Sequence, residues 1–112
     1  MAFTTINKGE SQHKTTIWAG NNAGSRNITT PFRPGMVWVK ARNFSGRSHY
    51  LWNEAEGFGA NKELVPNGNN AEGDTGNHNT GANGYVGGTT STSFSVVAGT
   101  SSANYVNAAY NY

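Results

Sequence analysis

Apolar and polar positions alternate most clearly over residues 36–42. Val37, Val39 and Ala41 fall on one side of an extended chain, and Met36, Trp38, Lys40 and Arg42 on the other. The turn signal Pro31-Phe32-Arg33-Pro34-Gly35 runs directly into this stretch. The pattern predicts a central strand covered on both faces, with Trp38 buried between two sheets and Lys40 and Arg42 marking the exit to solvent.

Shorter strands are predicted on either side. Thr15–Ala19 and Arg26–Thr30 precede the central strand, separated by the turn-forming Gly20-Asn21-Asn22-Ala23-Gly24. His49-Tyr50-Leu51-Trp52 follows it and pairs with it through a hairpin, which lets Trp38 and Trp52 share a core. Lys62–Val65 is a weak strand ended by Pro66-Asn67-Gly68. Residues 71–84 are nearly all small and polar, which predicts a long, mobile, exposed loop without an apolar anchor. Tyr85-Val86, Thr92–Val97 and Tyr105–Tyr112 supply the remaining strands, the last with Val106, Ala108, Tyr110 and Tyr112 on one face. No internal repeat or heptad is present. The expected fold is all-β: a small antiparallel two-sheet sandwich, jelly-roll-like, of seven to nine short strands. Residues 15–112 form this single domain, and residues 1–14 form an N-terminal arm or short edge strand.

Composition agrees with the pattern. Glycine, asparagine, threonine and serine supply 52 of the 112 residues, a mixture that disfavours helix because it raises backbone entropy and offers competing side-chain hydrogen bonds. Aromatic residues, at 12%, give each short strand a large group to bury and argue against disorder. Without cysteine, neither disulfides nor a thiolate zinc site holds the fold together. The formal charge of +2 is small and its cations are dispersed, so no footprint for nucleic acid is visible. No apolar run approaches the ~20 residues of a membrane span, and the N-terminus lacks the pattern of a signal peptide.

Few constellations suggest catalysis. Glu54 and Glu56 would share a face of an extended strand, as paired carboxylates of sandwich-fold glycosidases do, but no third acidic residue follows at matching spacing. Solvated charge at a strand end is the simpler reading. Asp74-Thr75-Gly76-Asn77-His78-Asn79 has the oxygen-rich look of a calcium loop but too few carboxylates, which leaves an Asx-turn loop. His13, His49 and His78 lie far apart, and no nucleophile or phosphate-loop motif is present. The expectation is a non-enzyme without metal or cofactor. Tyr50, Trp52, Asn83 and Tyr85 are the candidates for a sugar site built on stacking and amide hydrogen bonds, with core filling as their simpler role.

Phe32-Arg33-Pro34-Gly35-Met36-Val37-Trp38-Val39-Lys40-Ala41-Arg42 resembles the pattern F-x-P-x-x-V-W-[IV]-K-x-R, which recurs in β-rich domains of structural proteins of marine tailed bacteriophages. His49–Trp52 is similar to that family's H-x-L-[FW], Asn69–Glu72 to N-x-x-[DN]-A-E, Gly88–Val97 to its G-[FY]-[TS]-[LV] strand and Asn104–Val106 to T-Y-V-A-W. Glu56-Gly57 stands where the family has R-G, and Ala108 and Tyr110 where it has tryptophans. The resemblance implies a virion protein and supplies no catalytic residue. Such domains are commonly appended to long fibre chains. Here no stalk, coiled coil or collagen-like repeat is present, so the expected role is a capsid decoration or cement protein. Its partner would be the phage's major capsid protein, and it would act as a homo-oligomer on the virion. Phe3, Ile6, Lys8 and Lys14 are the candidate contacts, two apolar anchors and two cations for an acidic surface. A carbohydrate-binding tail-fibre or adhesin module is the alternative.

Overall fold

Among the described residues, five strands in two antiparallel sheets make up almost all of the regular structure. A computed structural model of the protein describes residues 11–22, 24–76, 78–100, 105–108 and 110–112. In chain order the elements are β1 (Ser25–Thr29), β2 (Met36–Val39), β3 (Tyr50–Asn53), a one-turn helix α1 (Thr80–Asn83), β4 (Tyr85–Thr90) and β5 (Ser93–Val97). One sheet has the order β1-β5-β4 and the other is the β2-β3 pair. The fold is therefore all-β with two antiparallel sheets, as the alternation and composition imply.

The three-stranded sheet is built on β5, whose Phe94 and Val96 alternate with Ser95 and Val97. Phe94 lies opposite Ile28 of β1 and Val96 opposite Val86 of β4, so one face collects four apolar side chains. Asn27, Ser95 and Gly88 line up on the other face. In the second sheet Val37 faces Trp52 and Val39 faces Tyr50. These four are buried and join the first sheet's apolar face in one core, which Tyr105, Val106 and Tyr112 complete.

Four expectations need correction. Trp38 is not between the sheets: it is 54% exposed, opposite Leu51, on the face of β2 away from Trp52. A period of two says which side chains share a face but not which face is covered, and here Val37 and Val39 take the core while Trp38 does not. Residues 15–19 and 105–112 are not regular strands. They meet in an irregular clasp instead, in which Trp18 and Tyr112 exchange main-chain hydrogen bonds, Gly20 N donates to Tyr110 O and Asn22 N to Asn107 O. The approach is close enough that a Cβ on Gly20 would lie 1.7 Å from Ala108 O.

Among the described residues the strand count is also lower than the seven to nine expected, in part because Lys62–Val65 contributes only a single bridge, Leu64 to Leu51. Finally, the chain from residue 71 to 84 is docked rather than free, and its anchors are polar. Thr80 is fully buried; its hydroxyl donates to Glu63 Oε2 at 2.6 Å and accepts from Asn61 N at 2.8 Å. Asn79 caps α1 by accepting from Ala82 N. Gly73 turns at φ +61° and donates to Glu63 O; a Cβ there would sit 2.3 Å from Asn61 O. Composition shows no apolar anchor, but it cannot show which threonine or asparagine finds a buried partner.

Candidate functional site

The outer face of β2 is where the molecule departs from ordinary burial. Ile17, Met36 and Trp38 stand out among the described residues as exposed large hydrophobics, at 63%, 57% and 54%. Met36 and Trp38 line one hollow, and Ile17 and Trp38 line another. A cleft of about 320 Å³ runs between residues 12–18 and β2, with Trp18, Phe32, Pro34, Met36, Trp38 and Phe94 among its walls. A second hollow of about 240 Å³ continues past Trp38 to Ile17, Lys40, Arg42 and Tyr112. Trp38 borders both.

Trp38 is fixed in this position. Its indole Nε1 donates to His49 Nδ1 at 3.1 Å, and the two rings meet edge to face, 5.8 Å between centroids. The hydrogen bond orients the ring while leaving much of it in solvent. Lys40 Nζ donates to Arg47 O, and the Arg47 guanidinium lies over the Phe44 ring at 4.7 Å. Among the described residues no Asp or Glu side chain lines either hollow, and the walls carry Lys14, Lys40 and Arg42 as well as His13. Glu54, at the Gly35 end of the strand, is engaged by Arg33 at 2.7 Å.

The backbone of β2 is open on this side. Glu54 N donates to Gly35 O, so in the antiparallel ladder Gly35, Val37 and Val39 turn their main-chain groups toward β3, and Met36 and Trp38 turn theirs away from it. The far edge of β3 is occupied: Leu51 exchanges both main-chain bonds with Leu64, and Asn53 O accepts from Gly57 N. Among the described residues β2 has β3 as its one neighbouring strand, and no main-chain partner for Met36 or Trp38 is found on the outer edge.

The residues proposed from the sequence are scattered. Lys14 is exposed and lines the cleft; Phe3, Ile6 and Lys8 lie outside the described residues. Trp52 and Tyr50, at 0% and 3% exposure, are core side chains with no ring face to offer a sugar. The Trp52 indole donates inward to Gly59 O, and Tyr50 stacks on Tyr105 at 4.5 Å. Asn83 and Tyr85 are half-buried, and the Asn83 amide is spent on Asn79 O. Glu54 and Glu56 sit at an exposed turn capped by Asn53 Oδ1 rather than on a strand. Gly76 N donates to Asp74 Oδ1, which closes an Asx turn. Among the described residues no three metal-ligating side chains gather at one point, and no helix is long and apolar enough to cross a membrane.

A second unusual place is interior. Glu63 is fully buried; one carboxylate oxygen is held by Thr80, and the other has no partner. Burial pushes its proton affinity up, only partly opposed by the Thr80 hydrogen bond. No space for a substrate is seen beside it, so it belongs to the packing of the 61–84 segment. The surface around Trp38 was missed in the sequence, although one signal pointed to it: Lys40 and Arg42 share the side of Met36 and Trp38.

No family model, no curated protein and no solved structure matches the chain.

Proposed function

We propose that the protein is a structural subunit of a bacteriophage virion, a decoration or cement protein of the outer capsid surface that attaches through the β2 face. The observation that carries this reading is the exposure of Ile17, Met36 and Trp38 along two adjoining hollows beside β2, where the outer face of the three-stranded sheet instead carries Asn27, Ser95 and Gly88. Exposed apolar groups scattered singly need no explanation, whereas a cluster rimmed by polar groups is the mark of a binding surface. Of the residues that carry the phage resemblance, Phe32, Pro34, Gly35, Met36, Val37 and Trp38 line the cleft, and Trp38, Lys40 and Arg42 the second hollow. In this role the protein is a homo-oligomer, catalyses nothing and uses no cofactor; contacts repeated over a lattice sum to a firm hold through effective concentration. The arm, with Phe3, Ile6 and Lys8, supplies a further contact.

Co-sedimentation with empty capsids tests it. Trp38→Ala should weaken capsid binding at least about tenfold, the loss typical of a partly buried aromatic anchor, while the protein stays folded. Undiminished binding by this variant overturns the attachment surface. Intact protein found only at the tail tip, bound to host glycan, overturns the decoration role. The second reading, a carbohydrate-binding receptor module, is favoured by one observation: Trp38 is a fixed, half-exposed ring beside a cleft. Its platform would be Trp38 rather than Tyr50 or Trp52.

A further inference from the structure

We infer that the open edge of β2 takes an extended acidic segment of a partner protein as an added strand. This deepens the attachment reading and rests on it for the partner's location, though not for the chemistry. Three observations converge. Met36 and Trp38 turn their N–H and C=O groups outward, and no main-chain partner for them occurs among the described residues. Unpaired groups along a strand edge are the template that strand addition uses, with main-chain bonds giving affinity and side-chain pockets at alternate positions giving specificity.

The second observation is space. The 320 Å³ cleft is lined by Met36, Val37 and Trp38 of β2 and by residues 12–16 and 18, which leaves room beside the strand for a single extended chain rather than for a second sheet. The third is charge. Lys40 and Arg42 line the second hollow, Arg42 is exposed, and among the described residues no Asp or Glu side chain lines either hollow. An incoming strand therefore places apolar side chains against Met36 and Trp38 and carboxylates toward Arg42 and Lys40. A basic segment would meet like charge at each of these points.

The test uses the full chain, labelled with ¹⁵N, and two synthetic decapeptides, one alternating valine with glutamate and the other valine with lysine. The acidic peptide is expected to bind at least about tenfold tighter at low salt and to lose that advantage as salt rises. It should shift the Met36 and Trp38 amides and slow their hydrogen exchange, while amides of β1 and β4 stay put. Met36→Pro deletes one outward N–H at the first residue of an edge strand, a position that tolerates proline because the β2-β3 ladder does not use that group. It should weaken peptide binding about tenfold, the order of one lost hydrogen bond with its geometry, and more than Met36→Ala does. Equal binding of both peptides, no binding of either, shifts confined to another surface, or unchanged affinity in Met36→Pro would each overturn the inference. So would a glycan oligomer that shifts Trp38 where the acidic peptide does not. The two proposals fail separately. If capsid binding is lost in Trp38→Ala but kept in Met36→Pro, strand addition is wrong and the attachment surface stands. If the acidic peptide adds to the edge of a protein that ignores capsids, the capsid role is wrong and strand addition stands.

Discussion

The two sheets use the same alternation to opposite ends. Both turn valine and aromatic side chains into one core, but the three-stranded sheet shows solvent Asn27, Ser95 and Gly88, and the two-stranded sheet shows it Met36 and Trp38. Small polar groups on an outer face need nothing from a neighbour. A methionine and a tryptophan left half in water forgo about half of the ~1.5–3 kcal/mol that full burial of each would give, which a partner recovers on docking. The comparison teaches that the tryptophans of β2 and β3 are not equivalent: one holds the fold and the other faces outward.

The largest expected effect breaks that contrast directly. Trp52→Ala removes a fully buried indole together with its bond to Gly59 O, and should lower stability by about 3–5 kcal/mol, a large share of a domain's total. Trp38→Ala should cost under about 1 kcal/mol, because the ring is half in solvent. Thermal unfolding of the two variants side by side measures the difference; equal losses would mean that Trp38 is covered in solution and that the outer face is not open.

A second effect sharpens the contrast by pH. Glu63 backs the two-stranded sheet through the neighbouring Leu64-Leu51 bridge, and the core face of the three-stranded sheet has no counterpart. Its folded proton affinity is raised above the value of 4.5 for a free side chain, so the folded state holds the proton longer than the unfolded chain does. That contribution is complete below about 4.5 and declines as pH rises toward the folded value. The melting temperature should therefore fall over this range, and Glu63→Gln should flatten the slope while keeping an acceptor for Thr80. A slope unchanged in that variant would assign the pH dependence elsewhere.

The smallest effect concerns the link between the sheets. Arg33 reaches Thr89 Oγ1 of the three-stranded sheet at 3.4 Å and Glu54 Oε1 beside the two-stranded one at 2.7 Å, yet both charged side chains are about 60% exposed. Screening by water holds such pairs to under about 1 kcal/mol. Arg33→Ala should shift the melting temperature by no more than a few degrees; a larger loss would show that the sheets lean on this contact rather than on their shared core.

What the sequence discloses follows from which signals are local. β2, β3 and β5 are legible because each carries its own alternation, and the two-sheet architecture follows from many short runs punctuated by Gly and Asn. Trp38 is misread because alternation leaves the buried side undetermined, and a tryptophan in a good strand looks like a core residue. The 71–84 segment is misread because Thr80 and Gly73 act through partners at Glu63 and Asn61 that no periodicity reveals. Residues 105–112 show the right apolar side chains, and Tyr105, Val106 and Tyr112 are indeed buried, but as turns and a clasp. Of the candidate site, Lys14 and the motif at 32–42 were legible, whereas the edge they border depends on β3 and on the 12–18 segment together.

The clasp gives the chain a particular order of events. β4 and β5 are joined by Ser91-Thr92 alone, and a hairpin of that kind closes in about 1–10 μs. The Trp18 indole, by contrast, donates to a carbonyl 88 residues away, Val106 O, and its backbone pairs with Tyr112. Contacts that span nearly the whole sequence enclose the largest loop in the molecule and so reward the chain only after the rest has condensed. One wall of the cleft beside β2 is thus tied down by contacts that close after the sheets have formed.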